Sequence, residues 1–381
     1  MSAEAEVITR LEDLAPLQED WEEMRLENGA SIFTSYLWTT TWLRHFGGSV
    51  GLRALVLREG GEVAGIAPFA TFRSRFLGLP VTYLCMVGTV GETTEYHDLQ
   101  PLYKGEAKRA ARDFVKGMRS IRWNMLQLRD LRWCALMENL FSQAGAEWPC
   151  EKMASKPCPF AVLDPQKEVL EQFEGRSSRK VRRIVNELQR DGRISFVKVW
   201  RKEEVERSVD VYIEQHKARW ASKGGSIFND PRQTGFLKEI ASRSAERDEV
   251  IIYEIHIDGK VASQQLCIRD GRVIRMYKIG MNDEFRSYAP GYLSVYYAMS
   301  DARYDGFREF DLGPGQEEYK YKAGGKDRFM YNIQGKRGSM KLLSTASRLP
   351  GARRVARRVL PTMTAEASAA GPAKPPSEPR S

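Results

Sequence analysis

The chain has 381 residues, 42% of them apolar, enough to bury two cores and too many for a disordered or fibrous protein. Lys and Arg number 59 against 50 Asp and Glu, yet residues 336–381 hold ten basic and two acidic side chains, leaving 49 against 48 elsewhere. The body is nearly neutral, which argues against a nucleic-acid-binding surface spread over the fold, and the basic character belongs to the tail.

Five cysteines, Cys85, Cys134, Cys150, Cys158 and Cys267, form no C-x-x-C pair, so neither a disulfide framework nor a metal site is expected. The N-terminal MSAEAEVITRLEDL is charged and lacks the roughly 7–15 apolar residues of a signal peptide. The longest apolar stretch, around Val81–Val87, is far shorter than a membrane span. The expected setting is a reducing cytoplasm, in solution or on the inner face of the membrane.

In chain order, apolar spacing predicts helices over 14–27 and 37–46, then a hairpin from Leu52 to Ala70. That hairpin recurs: RALVLREGGEVAGIAPF (Arg53–Phe69) is matched by IIYEIHIDGKVASQQLC (Ile251–Cys267), with Gly61-Glu62-Val63-Ala64-Gly65 answering Gly259-Lys260-Val261-Ala262-Ser263. A spacing of 198 residues fits two copies of one domain, and common turn-and-strand chemistry is the rival explanation. A helix is predicted over 107–118. Val181, Ile184, Val185 and Leu188 predict another over 178–191, ended by Gly192. Next come a helix near 203–220, strands at 250–257, 261–268 and 272–280, a helix near 291–303 and a strand at 307–312. The class is α/β with a largely antiparallel sheet. From about Pro361 the Ala, Pro and Ser content is too poor in apolar groups to fold.

The most informative stretch joins the strand at 272–280 to the helix at 291–303 through Arg286-Ser287-Tyr288-Ala289-Pro290-Gly291. A strand that turns into a helix here presents unpaired N–H groups and the positive end of the helix dipole, which suits a phosphate. Arg286 and Lys278 add charge-assisted contacts to a diphosphate. Taken alone, S-x-x-P-G merely turns a chain into a helix.

With the order of elements around it, the sequence resembles the GNAT acyltransferase superfamily, in particular its tandem-domain CelD/BcsL-type branch, related to the Fem-type peptidoglycan transferases. The resembling residues are Arg286–Gly291 opening the helix, Asp305-Gly306, and FDLGPGQEEYKYK over Phe310–Lys322. The resemblance is stronger over 160–335 than over 1–160, where Glu95–Tyr103 is similar to the acidic segment of the family's first domain. It implies GNAT-like units at 1–160 and 161–335, followed by a basic tail at 336–381. It also implies an acyl-CoA donor whose diphosphate rests on Arg286, Tyr288, Ala289, Pro290 and Gly291. Ala289 and Gly291 stand at the small-residue places of the family's Q/R-x-x-G-x-G/A pattern. The first copy has Gln100–Glu106 before its helix, without a Pro-Gly pair, so one donor site per chain is expected, in the second copy.

Acyl transfer needs a base for the acceptor, polarisation of the carbonyl and often an acid for the leaving thiolate. Asp311 is the first candidate for base or acceptor-binding carboxylate, with capping of the Gly313-Pro314-Gly315 turn as the rival role. Asp98 is placed by the resemblance at the cleft between the copies. His97, beside it, is a candidate base. The resemblance puts the Tyr319-Lys320 pair near the pantetheine or the acceptor, which makes Tyr319 a candidate acid for the thiolate and Lys320 a candidate for binding phosphate or an anionic acceptor, against an edge strand of alternating aromatics. Of Gln264 and Gln265, at least one must face inward and find a partner.

Arg176, Arg179, Lys180, Arg182, Arg183, Arg190 and Arg193 line one face of the helix at 178–191, a solvated face or a grip on tRNA. Residues 341–361 mix Leu and Val with six basic side chains, which suits an anionic membrane surface. The expected function is acyl-CoA-dependent N- or O-acyl transfer to an envelope polysaccharide or lipid precursor. The alternatives are a Fem-like transfer from aminoacyl-tRNA and a non-catalytic nucleotide- or tRNA-binding module.

Overall fold

The computed structural model describes residues 3–76, 79–90, 98–222 and 224–338. The first part of the chain runs β1 (Glu4–Ile8), α1 (Gln18–Glu27), α2 (Tyr36–Phe46), β2 (Gly51–Glu59), β3 (Glu62–Phe76), β4 (Leu79–Met86), β5 (Leu102–Tyr103), α3 (Ala107–Met118), β6 (Met125–Leu131), α4 (Ala135–Glu147) and β7 (Cys150–Pro157). The second runs β8 (Phe160–Val162), α5 (Val169–Gln172), α6 (Arg176–Arg190), β9 (Ile194–Val199), α7 (Lys202–Trp220), α8 (Pro231–Ala245), β10 (Val250–Ile257), β11 (Lys260–Asp270), β12 (Val273–Met281), α9 (Pro290–Tyr304), β13 (Glu309–Asp311), α10 (Glu318–Lys322) and β14 (Phe329–Lys336).

Two mixed sheets result, ordered β1-β2-β3-β4-β6-β14-β7, with β5 beside β3, and β8-β13-β12-β11-β10-β9. The repeated hairpin supplies corresponding strands of each. Leu57 pairs with Gly65 and Glu59 with Glu62; at the same 198-residue offset Ile255 pairs with Ser263 and Ile257 with Lys260. The offset even carries the β-bulge, between Leu57 and Arg58 in one copy and between Ile255 and His256 in the other. A shared register with a shared irregularity is the mark of one architecture used twice.

The two sheets exchange strands. β8 leaves the first sheet's chain to pair with β13 of the second, while β14 returns to lie between β6 and β7 of the first. A division at 160/161 and 335/336 therefore assigns Phe329–Gly335 by sequence position to one unit and by hydrogen bonding to the other.

One apolar core runs from α1 and α2 through α7 and α8 to the adjoining face of the second sheet. At its centre Trp38 meets Phe236 at 5.4 Å and Tyr277 at 5.3 Å, ring centre to ring centre. A second core fills the opposite face of the second sheet under α6 and α9. Helix α8, not anticipated above, begins at an Asp230 side chain that accepts the Arg232 N–H, with Pro231 in the first turn, a standard helix start. The Tyr319–Lys322 segment is a helical turn, not an edge strand.

Candidate active site

The second sheet forks at its middle. β12 and β13 run parallel and pair only over Val273–Arg275 and Glu309–Asp311. β12 continues to Met281, so, among the described residues, 276–281 have no strand on the β13 side. On the other side its ladder with β11 slips at Tyr277, the extra residue of a bulge between Met276 and Lys278.

Directly beyond β12 a 3-10 turn, Asp283–Tyr288, delivers the chain to α9 through Ala289 at φ 49° and ψ 54°. A non-glycine residue in this left-handed region is uncommon and is held here by the turn on one side and the helix on the other. The amides of Tyr292 and Leu293 both return to the Ala289 carbonyl. Pro290 has no N–H, so among the described residues the Gly291 amide is left at the helix mouth. Gly291 lies against the end of β12, where an added Cβ would come within 2.9 Å of Met281 Sδ.

Several side chains surround this mouth. Arg286 is exposed. Lys180 of α6 places its ammonium 5.9 Å from the centre of the Tyr292 ring, bringing a cation read above as part of a solvated helix face to the start of α9. Arg193 stacks at 5.4 Å on Tyr288 while forked to Asp258 at 2.6 and 2.7 Å. Tyr319 stands across the opening, edge-on to Tyr292 at 6.5 Å, and burial pushes its hydroxyl well above the usual phenol range. Lys278 is buried on β12, its ammonium 5.0 Å from the Tyr277 ring centre.

Asp311 and Asp98 do meet, through a residue the sequence reading did not single out. Arg275 donates from Nη1 to Asp311 Oδ2 at 3.1 Å, pairs from Nη2 with Asp98 Oδ2 at 3.2 Å, and donates from Nε to Asp270 Oδ2 at 2.8 Å. Burial pushes the Asp98 carboxyl up, while Arg275 and Arg132 pull it back. Asp311 Oδ1 accepts the Gly313 N–H at 2.9 Å, so the capping role is realised. Lys320 is buried, and its ammonium reaches the carbonyls of Gly313 and Pro314 at 3.1 and 2.7 Å and Glu317 at 2.8 Å. His97 lies outside the described residues, as does the tail from 339 onward.

Both glutamines are inside. Gln264 donates to Ser208 and Glu254, and Gln265 accepts from Ser294, which makes them parts of a buried network. The basic face of α6 is solvated and partly paired, Arg183 with Glu187 and Arg190 with Asp191.

The corresponding fork of the first sheet is filled. β4 and β6 pair over only two positions, Tyr83–Met125 and Leu84–Leu126. The space beyond is taken by the chain itself, with Leu99 bridged to Leu131 of β6 and Leu102–Tyr103 paired to β3. Leu99, Gln100 and Leu102 are all buried.

Residues 175–321 match the family model for an acetyltransferase (GNAT) domain. The second unit is a GNAT-fold domain. The whole two-sheet chain has the architecture of tandem GNAT-like units. It is similar in fold to FemX, at 11% identity over 90% of this chain and 99% of that one, with a TM-score of 0.59. It is also similar to a conserved protein of unknown function from Bacteroides thetaiotaomicron, at 10% identity over 88% and 100% of the two chains, TM-score 0.52. A third is the C-terminal domain of an Agrobacterium fabrum protein assigned as a lysylphosphatidylglycerol synthetase, at 12% identity over 89% and 98%, TM-score 0.51. No curated protein sequence matches the chain.

Proposed function

We propose that this protein is an acyl-CoA-dependent N- or O-acyltransferase with one donor site per chain, at the fork between β12 and β13. The observation that carries this reading is the contrast between the forks: the second opens beside the mouth of α9, and the first is filled by its own residues 99–103. The unpaired edge of β12 offers main-chain groups for an extended pantetheine arm. The Gly291 amide, the dipole of α9, Arg286 and Lys180 suit the diphosphate.

In the reaction the acceptor's amine or hydroxyl attacks the thioester carbonyl, the new C–N or C–O bond forms, and the C–S bond breaks. The acceptor's proton passes to a base, for which His97, the neighbour of Asp98 in sequence, is proposed. The departing sulfur takes a proton. Tyr319, held protonated by burial, donates a hydrogen bond to the developing thiolate.

The acceptor proposed is an envelope polysaccharide or lipid precursor. No helix among the described residues is long and apolar enough to cross a membrane, and the basic residues of 341–361 supply an approach to an anionic surface. The fold likeness to a protein assigned to lysylphosphatidylglycerol synthesis accords with a lipid acceptor.

Titration calorimetry with acetyl-CoA, a long-chain acyl-CoA and an aminoacyl-tRNA tests the donor. The expected result is one thioester bound per chain, with Kd on the order of 1–1000 µM, the usual range for enzyme substrates. Tight, salt-sensitive binding of the tRNA with none of the thioesters would instead favour the aminoacyl-tRNA reading.

A further inference from the structure

The buried charges at the fork form one connected path from the first unit to the mouth of the second unit's site. We propose that Asp98, Arg275, Asp311 and Lys320 are positioning residues, a relay through which the first unit sets the geometry of the donor site. The inference rests on reading the fork as that site.

Hydrogen-bonding capacity is the first argument. An ammonium has three N–H donors and no acceptor. Lys320 has three partners, the carbonyls of Gly313 and Pro314 and the carboxylate of Glu317, and its side chain is 3% exposed. No donor remains for a phosphate or an acceptor. Asp311 is likewise committed, one oxygen to the Gly313 N–H and the other to Arg275. A carboxylate so held would have to break a buried ion pair to take a proton from substrate.

Position is the second argument. Arg275 and Asp311 are the last residues paired across β12 and β13 before the strands part, so their ion pair sits at the root of the fork. Gly313, at φ 74°, packs against the first unpaired residue of β12: an added Cβ would lie 3.2 Å from the Met276 carbonyl oxygen. The Asp311 carboxylate thus fixes the turn that bounds the opening. Lys320 ties that turn to α10, which carries Tyr319 to its place opposite Tyr292. At the other end Asp98 belongs to the first unit, on the segment that fills that unit's own fork. Its Oδ1 is buried with no hydrogen-bond partner among the described residues, and its Oδ2 is 3.2 Å from Arg275, against 3.9 Å from Arg132. The residues that close one fork therefore brace the open one.

The test uses the full chain and Asp98→Asn, which keeps the shape and removes the charge. Donor affinity is measured by calorimetry, and kcat and KM where an acceptor is in hand, at a temperature where circular dichroism shows wild type and variant equally folded. Glu239→Gln, at an inter-unit contact outside the path from Asp98 to Lys320, serves as the purely structural control. The relay predicts at least fivefold weaker thioester binding in Asp98→Asn, and none in the control even where its melting point falls as far. Lys320→Met, within the second unit, is expected to weaken binding in the same direction and carries the test if Asp98→Asn does not fold. Wild-type binding with both variants within twofold of it would overturn the relay and leave the donor site standing. A wild-type chain that binds no thioester would overturn the donor reading, and the relay with it.

Discussion

Gly291 has two physical reasons to be glycine, and they make different predictions. On the proposed donor site a Cβ there would lie in the path of a phosphate approaching the helix mouth, and whatever the ligand it would come within 2.9 Å of Met281 Sδ. Gly291→Val is expected to weaken acyl-CoA binding about tenfold, or about 1.4 kcal/mol, and to lower the melting point. Adding Met281→Ala makes room for the valine and should restore stability without restoring affinity. Recovery of both by the double variant would reduce the glycine to a packing role. At this scale the sequence was informative about residue type and less so about duty. Asp98 and Asp311 were legible as a pair across the two copies. Their partner was not named, although Arg275 in the apolar strand VIRMYKIG is itself a signal, since a charge on such a strand must be met by another. Lys320 was a candidate phosphate or acceptor ligand through the family resemblance, and only three-dimensional packing shows its donors directed to two carbonyls and the Glu317 carboxylate.

Among the elements, the repeated hairpin was the most legible, because strand, turn and bulge chemistry is local and survived at a constant offset. Helix α8 carried its signals, the Asp230-Pro231 start and Phe236, Leu237, Ile240 and Ala241 at helical spacing, but Gly235 in its interior obscured them. That glycine admits His45 from α2: an added Cβ would lie 2.7 Å from the imidazole Cε1. His45 and Arg44 bond Glu239 of α8 at 2.8 and 2.5 Å, joining the two units. Burial opposes ionisation of Glu239, but the hydrogen bonds from Arg44 and His45 outweigh it and hold its carboxyl below the usual value of 4.5. A carboxyl lowered in the folded state adds stability that is present above its unfolded pKa and lost as pH falls through the folded one. Glu239→Gln should therefore lower the stability at pH 7 by an amount on the order of 1 kcal/mol for a partly exposed cluster, and the melting point with it. The gap to wild type should shrink as pH is taken from 5 toward 3. A gap that stayed constant across that range would assign the loss to packing.

The molecule as a whole is bound together by contacts no local reading can supply. β14 pairs with β6 and β7 from some 200 residues away, Gly335 with Leu126 and Cys150, and nothing in the octapeptide FMYNIQGK says which sheet it will join. Its place between two strands of the first sheet makes the boundary between body and tail a structural matter. A chain ending at Gly338 keeps β14 whole. One ending at Arg328 leaves β7 with no strand neighbour among the described residues and removes the buried Met330 and Ile333, a loss of about 4–10 kcal/mol at the usual cost of deleting two core side chains. The chain ending at Gly338 should melt cooperatively near the full-length value and the one ending at Arg328 should not. The Gly338 chain then isolates the tail, which lies outside the described residues and holds most of the excess positive charge. Six basic residues over 341–358 near an anionic leaflet contribute about 1 kcal/mol each at low salt. The full chain should therefore sediment with vesicles containing phosphatidylglycerol and release at high salt as screening shortens the reach of those charges. The chain ending at Gly338 should stay in the supernatant while binding acyl-CoA as before. Equal sedimentation of the two would place any membrane contact on the folded body, and the case for a membrane-bound acceptor would then have to be made from that surface.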